Sequence, residues 1–326
     1  MLPTEKKSGN PATIKDIARK VGISPSTVSR FFSGKVPVSS ETSDLILSTA
    51  QELGYQINRT ARRLVMGHNQ PKAVGVLLPL MTHPFFNEIL RGINQAFLDT
   101  PYNLMIFNLG SREEEVFQRI LDEGLSGLLV VSHALPEKIL TLLSYTSTPI
   151  VFLDYEHPKY TSFTVQHRAG GQLAAKHLLA KGCSHPLYVG ETTTTPQQDQ
   201  RLLGFTEELL RSGLKSEVLY TQQGAETTRD LLLKAWEHEP HYDGLFCYCD
   251  EMAYGALEAL HTLGLEVPLV GFDDLLPSRY LHLTTVAQPA VELGLEGSRC
   301  LIKGMENSGT TSPSCVLTPK LVVRNT

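Results

Sequence analysis

The sequence has little that would place it in or across a membrane. No stretch of its 326 residues approaches the roughly 20 uninterrupted apolar residues that a membrane helix needs. The opening residues also lack the basic start, apolar run and small-residue cleavage site of a signal peptide. We therefore expect a cytoplasmic protein that does not contact a membrane.

Cysteine is scarce, and its spacing fits no metal site. The five cysteines are an odd number, and only Cys247 and Cys249 lie close together. That pair falls in an apolar run, where buried free thiols are more typical than a metal or redox site. No zinc spacing is present, and the eleven histidines do not cluster. We expect neither a metal nor a cofactor.

Signatures of common enzyme classes are absent as well. The sequence contains no G-x-S-x-G, no G-x-x-x-x-G-K-[ST] and no H-E-x-x-H. The string Ala169-Gly170-Gly171 opens a predicted helix but lacks the dinucleotide-binding fingerprint. We therefore do not expect an enzyme.

The charge is unevenly divided along the chain. The net charge is −5, but residues 1–66 carry ten Lys and Arg against five Asp and Glu, whereas the remainder carries 19 against 29. A basic head on an acidic body is typical of local contact with phosphates, while the acidic body discourages indiscriminate coating of DNA. Ordinary scatter of surface charge gives a similar count, so charge alone does not decide the function.

Changes in composition and residues that break helices divide the sequence into four parts. Residues 1–11 are a polar tail, residues 12–57 are a small helical head, residues 58–71 are a short hinge helix and linker, and residues 72–326 are the body. In the head, Thr13 and Asp16 have the capping-box spacing, Ser24 precedes a proline at a helix start, and Ser39 can cap a third helix. We predict three short helices around a small core.

The body alternates short apolar runs with amphipathic helical stretches. Continuous apolar strands that alternate with helices are typical of parallel sheets covered on both faces. About eight such strand–helix units are too many for one compact sheet, and the series pauses near residues 156–164. The sequence therefore predicts two doubly wound α/β subdomains, with ligands at the carboxyl ends of their strands.

The first two predicted helices have the layout of a helix-turn-helix. A recognition helix needs small or hydrogen-bonding residues on the face that enters the major groove and apolar residues behind. Pro25, Ser26 and Arg30 meet this requirement, with Val28 and Phe32 turned inward. A capped three-helix bundle with an ordinary solvated face would show a similar pattern, so the layout by itself leaves both interpretations open.

The order of motifs closely resembles the lactose-repressor/galactose-repressor (LacI/GalR) family. In the head the resemblance lies in Thr13-Ile14-Lys15-Asp16-Ile17-Ala18, Val21-Gly22-Ile23-Ser24, Thr27-Val28-Ser29-Arg30 and Glu52-Leu53-Gly54-Tyr55. In the body it lies in Pro84-Phe85-Phe86, Phe152-Leu153-Asp154, Asp250-Glu251-Met252-Ala253, Val270-Gly271-Phe272-Asp273-Asp274, Gln288-Pro289 and Leu321-Val322-Val323-Arg324. The resemblance implies a type I periplasmic-binding-protein-like body, a homodimer that binds operator DNA, and control by a small metabolite.

The resemblance also implies which residues contact DNA. Base reading falls to Pro25, Ser26 and Arg30, and phosphate contact to Ser24, Thr27, Ser29 and Asn58. The remaining residues carried over for DNA contact are Thr13, Ala61, Arg62 and Leu64. The hinge helix that starts at Asn58 is too short to be stable on its own in water, so we expect it to fold only when it is bound to DNA. Leu64 would then insert into the minor groove as an apolar wedge. The alternative is that Leu64 only packs the head against the body.

A second set of residues is implied for the effector, a sugar or sugar phosphate. These residues are Phe85, Phe86, Asp154, Arg201, Asp250, Asp273 and Gln288. Carboxylates accept paired bonds from adjacent hydroxyls, an Arg fork donates to sugar oxygens, and an aromatic ring covers the apolar sugar face. Arg201 and Asp273 are the preferred contacts. For Asp154 and Asp250 helix capping is an equal alternative, and one of the two phenylalanines is expected only to pack.

The sequence departs from the family pattern at some positions. Ile57 stands where the family usually has proline, and Cys249 stands where asparagine often precedes Asp250. These departures affect hinge rigidity and effector identity, not the fold. The sequence ends at Thr326 without an added heptad helix, so we expect a dimer rather than a tetramer.

Two alternatives to an effector-released repressor remain. In the first, the fold is the same but the regulation is reversed, so that the effector acts as a corepressor or the protein activates transcription. The other is a sugar-binding module without a DNA role, which the basic trihelical head of residues 12–66 disfavours.

Overall fold

The computed structural model describes residues 12–32, 38–53, 55, 72–145, 148–237, 242–306 and 314–326. The predicted hinge, including Asn58, Ala61, Arg62 and Leu64, lies outside these residues. In the described part of the chain no helix is long and apolar enough to cross a membrane.

The head contains three helices, α1 (Ile14–Val21), α2 (Pro25–Phe32) and α3 (Ser40–Glu52). The backbone N–H and the hydroxyl of Thr13 both donate to Asp16, at 3.0 and 2.6 Å, so the predicted cap at the start of α1 is present. Ser39 accepts a hydrogen bond from the backbone N–H of Thr42 at the start of α3. These local bonds satisfy backbone donors that the first turn of a helix leaves unpaired.

The head core is small and fully apolar at its centre. Ile17, Val28 and Ile46 come from α1, α2 and α3 respectively, and each is completely buried. Gly22 ends α1 with φ at 78°, a left-handed conformation that favours glycine. The predicted three-helix head is therefore confirmed.

The body alternates strands and helices in chain order. The strands are β1 (Lys72–Leu78), β2 (Tyr102–Asn108), β3 (Gly127–Val131), β4 (Ile150–Leu153), β5 (Ser162–Val165), β6 (Pro186–Glu191), β7 (Glu217–Thr221), β8 (Gly244–Cys247), β9 (Leu269–Asp273), β10 (Thr284–Ala287), β11 (Cys315–Leu317) and β12 (Lys320–Val322). The helices are α4 (Pro84–Phe97), α5 (Glu113–Asp122), α6 (Glu137–Tyr145), α7 (His167–Ala180), α8 (Pro196–Arg211), α9 (Ala225–Ala235), α10 (Asp250–Leu263), α11 (Leu276–Tyr280) and α12 (Ala290–Glu306).

The described residues fall into two compact units. The first unit comprises the described residues of Met1–Met81, Ile93–Ser162 and Leu295–Pro313, and the second comprises those of Thr82–Gly92, Phe163–Gly294 and Ser314–Thr326. The chain therefore passes between the two units five times, which the sequence analysis did not foresee. The predicted pair of α/β subdomains is confirmed.

Each unit is built on a largely parallel sheet. In the first unit the strand order is β4-β3-β1-β2, with Val76 opposite Ile106 and Leu129. In the second unit the order is β12-β10-β9-β8-β6-β7, and β12 runs antiparallel to β10 at its edge. Strand β5 pairs in parallel with β11, so that Phe163 faces Cys315. The antiparallel edge is a departure from the all-parallel sheets that we expected.

Candidate DNA-binding face and effector pocket

Helix α2 has one buried and one exposed face. Val28, Phe31 and Phe32 are buried, at most 5% exposed, while Pro25, Ser26, Ser29 and Arg30 are exposed. The predicted base-reading residues therefore share the face of α2 that points away from the core. A helix with small polar residues on its exposed face can enter the major groove, and an arginine on that face can hydrogen-bond base edges.

Hydroxyl groups organise the start of α2. The Ser24 Oγ accepts from the backbone N–H of Thr27 at 3.1 Å and lies 2.7 Å from the Thr27 hydroxyl and 2.8 Å from that of Ser26. The N-terminal end of α2 thus presents hydroxyls and backbone N–H groups together, an arrangement that suits phosphate. Thr13 is exposed, but its hydroxyl already donates to Asp16.

Arg201 is positioned by close packing of two helices in the second unit. A side chain on Gly171 of α7 would lie 2.0 Å from the carbonyl oxygen of Arg201, and one on Gly204 of α8 would lie 1.9 Å from that of Arg168. Glycine at both positions therefore lets the backbones of α7 and α8 touch. The sequence analysis considered the Gly170-Gly171 string only as a possible nucleotide-binding motif. In the structure, Gly171 instead allows the two helices to pack closely.

The Arg201 guanidinium is buried among aromatic rings and hydrogen-bond acceptors. Its Nη1 donates to the Tyr248 carbonyl oxygen at 2.7 Å, and its Nε donates to His167 Nδ1 at 3.3 Å. The guanidinium carbon lies 3.7 Å from the centre of the Phe272 ring and 4.8 Å from that of Tyr248. A planar cation held in this way is rigid before any ligand arrives.

Asp273 and Gln288 lie beside Arg201. The Gln288 amide Nε2 donates to Asp273 Oδ1 at 2.6 Å, and Arg201 Nη1 lies 3.9 Å from the same oxygen. The Gln288 Oε1 atom is buried and has no hydrogen-bond partner among the described residues. The structure thus brings three of the predicted effector residues together, and leaves one of their acceptors available.

A cavity of about 320 Å³ in the second unit adjoins this cluster. Its walls include Phe85, Glu88, Arg91, Asp273, Asp274, Leu275, Ala287, Gln288, Pro289, Ala290, Val291 and Glu292. Phe85 is 5% exposed, Phe86 is half-buried, and their rings are 5.7 Å apart. Phe85 is thus both packed and in the cavity wall, a combination that the sequence analysis did not anticipate.

Asp250 and Asp154 make structural hydrogen bonds within their own units. The fully buried Asp250 carboxylate accepts from the Leu275 N–H and the Ser278 and Thr285 hydroxyls, at 2.6 to 2.8 Å. Burial raises the pKa of Asp250 to about 6, against the lowering effect of these donors. Asp154, in the first unit, accepts from the Ser132 hydroxyl at 2.8 Å. The bonds of Asp250 lead to α11 and β10, and Asp154 follows β4 rather than starting a helix, so effector contact for both stays a prediction.

Sequence reasoning missed a polar pair formed by His83 and Gln223. Gln223 Nε2 lies 2.5 Å from His83 Nε2 and 3.5 Å from the Glu251 carboxylate, and the His83 ring packs against Phe86 at 4.9 Å. Burial, helped by the charge of Arg201, lowers the pKa of His83 to about 4, so the ring is neutral near pH 7. The available signal was position: Gln223 follows β7 at its carboxyl end, where α/β proteins bind ligands.

Two family models match the sequence. The one described as bacterial regulatory proteins, lacI family, covers residues 13–58, and the one described as a periplasmic binding protein-like domain covers residues 175–326. Among curated relatives, the ribose operon repressor of Halalkalibacterium halodurans is 32% identical over 96% of both chains. The HTH-type transcriptional repressor PurR of Haemophilus influenzae (strain PittEE) is 30% identical over 96% of this chain and 98% of its own.

Solved structures show the same fold. A LacI family protein from Silicibacter pomeroyi superimposes with a TM-score of 0.71 at 25% identity, over 97% of this chain and 99% of its own. A LacI family regulator from Enterococcus faecium with bound ribose gives a TM-score of 0.71 at 24% identity, over 78% and 97%. At that identity the second comparison supports the fold alone.

Proposed function

Since the chain belongs to the lacI family of bacterial regulatory proteins, we propose that it is a cytoplasmic, homodimeric transcription repressor whose operator affinity is set by a small carbohydrate. The observation that carries this proposal is the presence, in one chain, of the exposed polar face of α2 and the buried Arg201–Asp273–Gln288 cluster beside a cavity. The exposed face of α2 binds DNA, and the buried cluster beside the cavity binds the effector.

The DNA role rests on α2 and on the hinge residues. Arg30 can bond a guanine edge through two N–H groups, and Pro25 and Ser26 supply apolar and hydroxyl contacts next to it. Asn58, Ala61, Arg62 and Leu64 are assigned to the operator from the sequence, since they lie outside the described residues. Two heads in a dimer then recognise two half-sites.

The charges around the cavity favour an unphosphorylated effector. Three arginines beside it each already face a carboxylate, in the pairs Arg91–Glu88 at 2.8 Å, Arg201–Asp273 at 3.9 Å and Arg324–Asp274 at 2.5 Å. Glu292 adds a further carboxylate to the wall. Among the described residues that surround the cavity, a phosphate dianion would therefore meet acceptors and no unbalanced cation, whereas hydroxyls can donate to those acceptors.

The size of the cavity and the name of one relative further restrict the chemical class of the effector. A volume of about 320 Å³ is at the small end for ligand pockets, which suits a monosaccharide. A relative that is 32% identical over nearly its whole length is named a ribose operon repressor. We infer that the effector is a neutral monosaccharide, with a pentose as the first candidate.

The test uses the full chain and an operator obtained by selection from random duplexes. Fluorescence anisotropy should show specific binding, and D-ribose should change the operator affinity while D-ribose 5-phosphate should not. In Asp273→Asn the response to D-ribose should fall by about tenfold or more, the scale of a charge-assisted hydrogen bond, while ligand-free operator affinity stays near normal. The sign of the response separates induction from corepression. Failure to select any operator sequence would reject the repressor assignment.

A further inference from the structure

Asp273 and Asp274 form an unusual turn at the end of β9. Their φ angles are 120° and 56°, and both lie in the left-handed half of conformational space that residues with a side chain rarely adopt. Such a backbone persists only when surrounding contacts hold it. The turn matters because Asp273 is the carboxylate that faces Gln288 and Arg201.

Arg324 bridges this turn to the start of β10. Its Nη2 donates to Asp274 Oδ1 at 2.5 Å, and its Nη1 donates to the Leu283 carbonyl oxygen at 2.7 Å. The two nitrogens of one planar fork therefore connect two separate segments, which a point charge such as lysine cannot reproduce with the same geometry. The Arg324 side chain is 13% exposed, so little water competes for these bonds.

The backbone around Arg324 is itself anchored to the beginnings of two strands. The Arg324 N–H donates to the Thr284 hydroxyl at 3.0 Å, and the Thr284 hydroxyl donates to the Thr326 carbonyl oxygen at 2.7 Å. The Thr326 hydroxyl in turn donates to the Leu269 carbonyl oxygen at 2.7 Å. Leu269 begins β9 and Thr284 begins β10, so Arg324 extends from a fixed base to the far end of β9.

We propose that Arg324 is a positioning residue of the effector pocket, which holds the Asp273–Asp274 turn and thereby directs the Asp273 carboxylate toward the effector. The inference rests on the proposed function in that Asp273 is taken to contact the effector. Arg324 itself does not line the cavity. Arg324 acts on the pocket by holding Asp274, because the backbone conformation of Asp274 sets the direction of Asp273.

Hydrogen exchange of the ligand-free full chain tests the clamp without any effector. In Arg324→Gln the amides of Leu275 and Ser278 should exchange about tenfold faster or more, the factor that corresponds to loss of a charged hydrogen bond. Amides of β6 should keep their rates. The matched control is Arg211→Gln, which removes an arginine of the same unit whose side chain is 62% exposed and forms an ion pair with Glu208.

Glycine rescue separates a held conformation from general loosening. Adding Asp274→Gly to Arg324→Gln should restore slow exchange, because glycine adopts a φ of 56° without strain. Arg324→Lys should fall between the parent and Arg324→Gln. Unchanged exchange in Arg324→Gln, or equal acceleration in β6, would overturn the clamp.

Calorimetry with D-ribose tests the positioning role. Arg324→Gln should weaken D-ribose binding about tenfold or more while ligand-free operator affinity is retained, and Arg211→Gln should behave as the parent. A looser turn with parental D-ribose affinity would overturn the positioning role. If the parent itself does not bind D-ribose, the pentose assignment fails, and the exchange results alone decide whether Arg324 holds the turn.

Discussion

Removing the Arg201 guanidinium should destabilise the second unit far more than removing an exposed arginine. Arg201 Nη1 lies 3.9 Å from Asp273 Oδ1, and the two side chains are only 4% and 3% exposed. Unit charges at about 4 Å attract by about 4 kcal/mol at an effective dielectric constant of about 20. Loss of one partner of a buried pair typically costs about 3 to 5 kcal/mol, since the other charge stays buried without its counter-ion. We expect that loss for Arg201→Met at pH 7.

The control is Arg168→Met on the neighbouring helix. Arg168 pairs with Glu207, but its side chain is 52% exposed, so its removal should cost less than about 1 kcal/mol. Trp236 is the only tryptophan in the sequence and belongs to the same unit, so its fluorescence during urea unfolding reports on both variants.

A double-mutant cycle identifies the cause of the loss. In an Asp273→Asn background no carboxylate remains to lose its counter-ion, so Arg201→Met should cost markedly less than in the parent. If Arg201→Met costs no more than Arg168→Met, or costs the same in both backgrounds, the buried-pair reasoning is refuted.

Three further predictions follow from other sites. Arg30→Ala should weaken operator binding by about 1 to 3 kcal/mol and relax preference at one base pair per half-site, and an unchanged motif from binding-site selection would contradict it. The raised pKa of Asp250, about 6 against an ordinary 3.8, means that its protonated form stabilises the folded chain at low pH, and that this contribution is lost as pH rises through 6. Relative to Asp250→Asn, the parent should therefore lose unfolding free energy between pH 4 and pH 6, whereas a constant difference would show that Asp250 does not titrate there. Leu64→Ala should reduce operator bending and affinity at nearly unchanged thermal stability, and a normal bend angle with a destabilised protein would favour the packing alternative.

Local features of the sequence were sufficient to predict the head and most of the body. Thr13 with Asp16, and Ser39 with Thr42, form caps between residues three apart, so their partners are visible in the sequence itself. The strands from β1 to β4 and from β6 to β9 were recognisable as short apolar runs, and β3, β4, β8 and β9 are buried along their whole length. Amphipathic helices between them then predicted parallel sheets.

The short strands β5, β10, β11 and β12 were not recognised from periodicity, because each pairs with a segment far away in the sequence. Strand β5 pairs with β11, and β10 pairs with β12, so each depends on a segment that returns after a long excursion. A run of three or four residues carries too little periodicity to be recognised without that partner.

The sequence by itself thus determined the helix-turn-helix head, the α/β class of the body and the candidate residues Arg201, Asp273 and Gln288. Only the tertiary structure decided what surrounds them: the rings of Phe272 and Tyr248 on Arg201, the His83–Gln223 pair, and the bond from Arg324 to Asp274. Capping and periodicity act between residues within about one helical turn, and they can be read in order along the chain. The environment of a buried charge is set by segments that sheet register brings together, and no local pattern encodes which ones meet.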